Sequence, residues 1–114
     1  MIIKKLLLGF TATFFLAMAP QAQVVYAEDS EYNADVSVYV VDSEYDADLI
    51  VYKCDSEYDA DGNEGLWYFD DSEYNADKTI YFEDSEYNAD LLIYFTDSEY
   101  DAGWEENDKK HLMY

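Results

Sequence analysis

Two runs of acids hold the most chemistry in this sequence. Asp42, Glu44, Asp46 and Asp48 stand at every second position, and so do Asp55, Glu57, Asp59 and Asp61. Where the backbone curves, carboxylates so spaced can surround a hard cation such as Ca2+, which takes roughly six to eight oxygen ligands. In a flat strand the same residues would form one charged face. These eight are the candidate metal ligands, and Ca2+ is the one cofactor they suggest. They do not complete an EF-hand, because counting from Asp55 puts Ala60 at the glycine position and Leu66 at the final glutamate. The competing reading is a solvated acidic surface that keeps a β protein soluble and discourages edge pairing.

Catalysis finds little support. Cys54 is the only cysteine and His111 the only histidine, so neither a zinc cluster nor a Ser-His-acid or Cys-His constellation can be assembled. Paired acids could serve a glycosidase, but here they recur with no distinguished pair, in a chain too short for a deep cleft. The expectation is a protein without enzymatic activity.

The acids belong to a repeated phrase, Asp-Ser-Glu-Tyr-(Asn/Asp)-Ala-Asp, which begins at residues 29, 42, 55, 71, 84 and 97. Its period is 13 residues, with three extra residues, Gly62 to Glu64, in the third unit. Repetition at a fixed period means that each unit is one structural element stacked on its neighbours. After each phrase comes a short apolar run. Read as extended chain, Tyr32, Ala34, Val36, Val38 and Val40 share one face and Ser37, Tyr39 and Val41 the other, the alternation of a strand. Asp-Ser-Glu marks a turn, since Asp and Ser side chains bond nearby backbone. The Asn or Asp before each alanine suggests a second, left-handed bend, and the alanines suggest a tight inward corner. Trp67 takes a position held elsewhere by Val38, Val51, Ile80 and Ile93, so it reads as a packed or half-packed side chain, with a binding aromatic as the alternative.

The fold class is therefore all-β, a short-period repeat array. The preferred architecture is β-solenoid-like with about 13 residues per coil; the alternative is an antiparallel meander. Charge is the objection to stacked coils, because exposed carboxylates about 4.8 Å apart repel by roughly 0.9 kcal/mol even in water.

Residues 1–27 stand apart. Lys4 and Lys5 precede an apolar run, Leu6 to Ala19, and small residues follow, the order of an export signal. Val25 and Ala27 place cleavage before Glu28, with Ala22 as a second, weaker site. The expected organisation is a signal peptide at 1–27, a repeat domain at 28–104 capped by Trp104, and a charged flexible tail at 105–114. The destination would be secreted or periplasmic, with no integral membrane span after cleavage. Cleavage at that point would move the net charge from −21 to −23, since it removes two lysines and no acid. Such a chain repels nucleic acid and favours basic partners. A basic protein, a glycan or the cell-envelope surface are the expected partners, and homo-oligomers through a sheet edge are a further expectation.

The unit Asp-Ser-Glu-Tyr-Asn-Ala-Asp followed by Leu-Leu-Ile-Tyr-Phe-Thr, residues 84–96, resembles that of an uncharacterised bacterial family of exported proteins built from 13-residue, Tyr- and Asp-rich β repeats. The likeness spans residues 29–104. It implies a repeat fold and brings no catalytic residue, ligand or activity with it. The Thr-x-Thr ladders of β-helical antifreeze proteins are missing, so that function is not supported.

Overall fold

The computed structural model describes residues 23–60 and 62–114. Seven strands alternate with 3-10 turns: β1 Gln23–Ala27, β2 Val36–Val40, β3 Leu49–Lys53, β4 Leu66–Phe69, β5 Lys78–Phe82, β6 Leu91–Thr96 and β7 Gly103–Trp104. The first six form a closed ring in the order β4-β1-β5-β2-β6-β3, with β3 pairing back onto β4. Every pairing within the ring is parallel. Only the short β7 is antiparallel, lying on the start of β3. A meander would place consecutive strands side by side and antiparallel, so the solenoid-like reading describes the chain.

The winding is not that of stacked single coils. Apart from the β3–β4 closure, strands pair with partners three or four units away, as β1 does with β4 and β5, so two revolutions of the chain interleave in one ring. Each turn packs on a strand, and for all but the third that strand lies between the two it connects. The turn Glu31–Asn33 lies on β5, Glu44–Asp46 on β6, Glu73–Asn75 on β1, Glu86–Asn88 on β2 and Glu99–Asp101 on β3. Thus each unit passes over one strand as a turn and under another turn as a strand.

Register supplies the physical reason for this winding. The third residue of each strand faces the first residue of the next around the ring: Val25 faces Lys78, Ile80 faces Val36, Val38 faces Leu91 and Ile93 faces Leu49. Equivalent residues therefore slide by two positions, about 6.6 Å. Corresponding carboxylates in neighbouring units then stand about 8 Å apart instead of 4.8 Å, which lowers their mutual repulsion from roughly 0.9 to roughly 0.5 kcal/mol before salt screening. A constant slide also closes the ring, as strand tilt does in any barrel, and leaves no continuous open edge.

Val25, Val38, Val51, Ile80 and Ile93, third in their strands, and Trp67, second in the shorter β4, are all fully buried and form the waist of the core. Burying each contributes about 1.5–3 kcal/mol. One end of the core is closed by Leu112, Met113 and Trp104. At the other, Lys53 Nζ sits 4.4 Å from the ring centre of Phe95 and 5.8 Å from that of Phe69.

Three expectations change here. The last ten residues are not a loose tail. Asn107–Met113 is a 3-10 helix whose Met113 is fully buried, and Lys109 and Lys110 pair with Asp48 and Glu64. The three-residue insertion, Gly62 to Glu64, does more than bulge outwards. Asn63 is buried, donates from Nδ2 to the Lys110 carbonyl at 3.0 Å and accepts the Trp104 indole N–H at its own carbonyl at 2.8 Å. Gly65, just after it, has φ near +90°, and a Cβ there would come within 2.3 Å of the Ile50 carbonyl oxygen, so no side chain fits. Finally, the sheet begins at Gln23 rather than at residue 28, because β1 is one of the six ring strands.

Candidate interaction surface

Each phrase folds the same way. The serine is the N-cap of a three-residue 3-10 turn, and its Oγ accepts the tyrosine backbone N–H at 3.1–3.3 Å in all six copies. The Asn or Asp N–H then donates to the serine carbonyl, and the alanine N–H to the glutamate carbonyl. The Asn or Asp is thus the last residue of a 3-10 turn and not a left-handed bend. Alanine returns the chain to extended conformation, buried at Ala47 and Ala60 and half-buried in the other copies.

The final aspartate has a separate task. Asp35 donates its N–H to the Thr79 carbonyl while Oδ2 accepts the Thr79 N–H at 3.0 Å. Asp48 does this with Leu92, Asp77 with Val24 and Asp90 with Ser37, with N–H to Oδ2 distances of 2.9, 2.8 and 3.2 Å. The carboxylate takes the place of a backbone carbonyl and extends the ladder by one residue. In the sixth unit Gly103 replaces it and β7 begins there.

This geometry bears on the proposed cation ligands. Spacing by two aligns side chains in a strand, but with three residues per turn it fans them apart. Glu44 and Asp46, like Glu57 and Asp59, lie within such turns and are exposed, as are Asp42 and Asp55 before them. Asp48 is buried, with Oδ2 shared between the Leu92 N–H and Lys109 Nζ at 3.2 Å. Asp61 lies outside the described residues. Among the described residues no three His, Cys, Asp or Glu side chains are grouped to hold a metal ion. If Asp48 is a structural clasp, Asp48→Ala should cost about 1–3 kcal/mol in urea unfolding. The exposed Asp90→Ala should cost visibly less, and equal losses would contradict this assignment.

Beneath some turns, acids meet acids. Glu83 just after β5 lies against Glu31 of the overlying turn, and Glu28 after β1 against Glu73 of its turn. Desolvation first, then Glu31 together with Asp84 and Asp90, raises the Glu83 carboxyl above its ordinary range. Desolvation, then Glu73, Asp29 and Asp35, does the same for Glu28. A raised carboxyl pKa favours the protonated folded form. Its stabilising contribution is complete below the ordinary Glu value and is lost as pH rises through the raised one. These two groups therefore favour the fold on moving from neutrality down toward the ordinary Glu range. Glu83→Gln should melt higher than the parent at neutral pH and show a flatter dependence of Tm on pH; an unchanged slope would contradict the pairing.

What remains is the tyrosine. Extended alternation places Tyr32 on the core face, yet the 3-10 turn rotates it outward. Tyr32, Tyr45, Tyr58, Tyr74, Tyr87 and Tyr100 are between 88% and 94% exposed. They contrast with the half-buried strand tyrosines Tyr26, Tyr39, Tyr52, Tyr68, Tyr81 and Tyr94. The usual relation between burial and variability is inverted within this chain. The fully buried waist accepts valine, isoleucine and tryptophan, while the most exposed position is tyrosine in all six copies. Each ring is flanked by an exposed glutamate and an exposed Asn or Asp. Because the turns sit on successive ring strands, the six knobs surround the molecule.

A family model described as the 7(1) septoil knot domain matches residues 18–105. Comparison with curated proteins and with solved structures returns no match.

Proposed function

The chain belongs to the 7(1) septoil knot domain family, and with that scaffold as premise we propose that it is a non-enzymatic, exported interaction protein. Its six tyrosine-acid knobs would engage a basic protein partner. The observation that carries this reading is the exposed tyrosine repeated without exception where packing makes no demand for it. Tyrosine and arginine are among the residues that dominate binding energy at interfaces, and a guanidinium can stack on a tyrosine ring while pairing with the carboxylates beside it. A net charge of −21 favours encounter with a cationic surface and opposes self-association. Six equal knobs around a closed ring suit several weak contacts acting together, so that avidity exceeds single-site affinity.

Calorimetric titration with an arginine-rich peptide and with a lysine-rich peptide of equal charge tests this. The arginine peptide is expected to bind more tightly, with more than one peptide per chain and with affinity falling as salt rises. Identical binding of the two peptides, abolished by modest salt, would reduce the surface to a diffuse field and contradict the proposal.

A further inference from the structure

We propose that export cuts the Ala22–Gln23 bond, so that β1 remains in the mature protein. This inference rests on the export reading above and corrects the position of the cut. Judged by small residues alone, Val25 and Ala27 mark cleavage before Glu28. In the fold those residues belong to a ring strand: Val25 is fully buried in the core, and β1 pairs with β4 on one side and β5 on the other.

A cut before Glu28 would open the ring between β4 and β5 and expose two strand edges. It would also leave polar groups unpaired. The Asp70 N–H donates to the Val25 carbonyl and the Asp77 N–H to the Val24 carbonyl, while Asp77 Oδ2 accepts the Val24 N–H. Gln23 holds the other end of the chain, donating from Nε2 to the Met113 carbonyl at 3.1 Å inside the barrel. Among the described residues its Oε1 and the Trp67 indole N–H are both buried without a hydrogen-bond partner, one an acceptor and one a donor, on residues that face each other in register. Losing Gln23 would leave the buried Met113 carbonyl without that donor. The family match, which begins at residue 18, also includes β1.

Ala22 supplies the small residue required on the departing side of a bond that spares all of β1. Hydrolysis there adds one water across the amide, leaving a carboxylate on Ala22 and an ammonium group on Gln23. Expression of the full chain, Met1 to Tyr114, in an exporting bacterial host tests the assignment by intact mass and amino-terminal sequencing of the exported product. The expected first residue is Gln23. Ala27→Leu should leave the cut in place, whereas Ala22→Leu should block or displace it. An exported chain beginning at Glu28, or at any residue other than Gln23, would overturn the assignment while leaving export intact. A chain retained inside the cell and uncut would overturn both.

Discussion

Trp67→Ala is expected to destabilise the protein by about 3–5 kcal/mol, the range for emptying a fully buried aromatic site. In a domain of this size each kcal/mol corresponds to about 4–8 °C in Tm, so the melting temperature should fall by well over 10 °C. The reason lies in the arithmetic of side chains around the ring. Where the other five units supply Gln23, Val36, Leu49, Lys78 and Leu91 as the residue two before the waist, this unit has Gly65, which contributes nothing to the core. Trp67 carries the extra volume at the waist, with its ring edge-on to Phe69 at 6.0 Å and 68°. Because the ring is closed, a void on β4 cannot be relieved by peeling back an edge strand. Trp67→Phe should recover much of the loss, and thermal melts of the three proteins would show the order. A loss below about 1 kcal/mol for the alanine variant would mean that the waist is not a packed core.

Replacing all six turn tyrosines by serine should have the opposite profile. Side chains so exposed contribute little packing, and surface substitutions usually stay within about 0.5 kcal/mol each. The serine N-caps and aspartate clasps remain in place, so each replacement should move Tm by only a few degrees. Binding of an arginine-rich peptide should fall about tenfold or more. Each exposed ring contact with a cation contributes about 0.5–1 kcal/mol, and a peptide long enough to reach two or three knobs loses that several times over. The carboxylates are untouched, so any residual binding reports the electrostatic field alone. A variant that binds as tightly as the parent would remove the tyrosines from the account.

Much of the fold is local and therefore legible in the amino-acid order. A β-branched run such as Val36 to Val41 can only be a strand, and Asp-Ser-Glu can only interrupt it. Pairing partners are another matter. Near-identical units offer near-identical partners, so nothing in Val36 distinguishes Ile80 from its equivalents; the two-residue slide and the interleaving arise from closure of the whole ring. Alternation carried through the phrase puts Tyr32 on the core face, whereas a turn with a period of three points it outward. Gln23 to Ala27 satisfies two rules at once, apolar strand and signal-cleavage context, and its pairing in the closed sheet shows the strand. The tail reads as loose in the sequence because its charge conceals one decisive apolar residue, Met113, and because Asn63, which anchors it, is a common loop residue. The alternating acids of residues 42–48 suggest a ligand set by spacing, and spacing alone does not reveal that the last of them accepts the Leu92 N–H.

In the proposed function the turn tyrosines, and not the strand tyrosines, form the working surface. The chain contains its own control, six tyrosines of each kind beside Tyr114. Carbon-13 labelling of tyrosine and aromatic NMR during titration with an arginine-rich peptide would read both sets at once. The account predicts progressive shifts for Tyr32, Tyr45, Tyr58, Tyr74, Tyr87 and Tyr100, with the signals of Tyr26, Tyr39, Tyr52, Tyr68, Tyr81 and Tyr94 unmoved. Equal shifts in both sets, or none in the first, would contradict it.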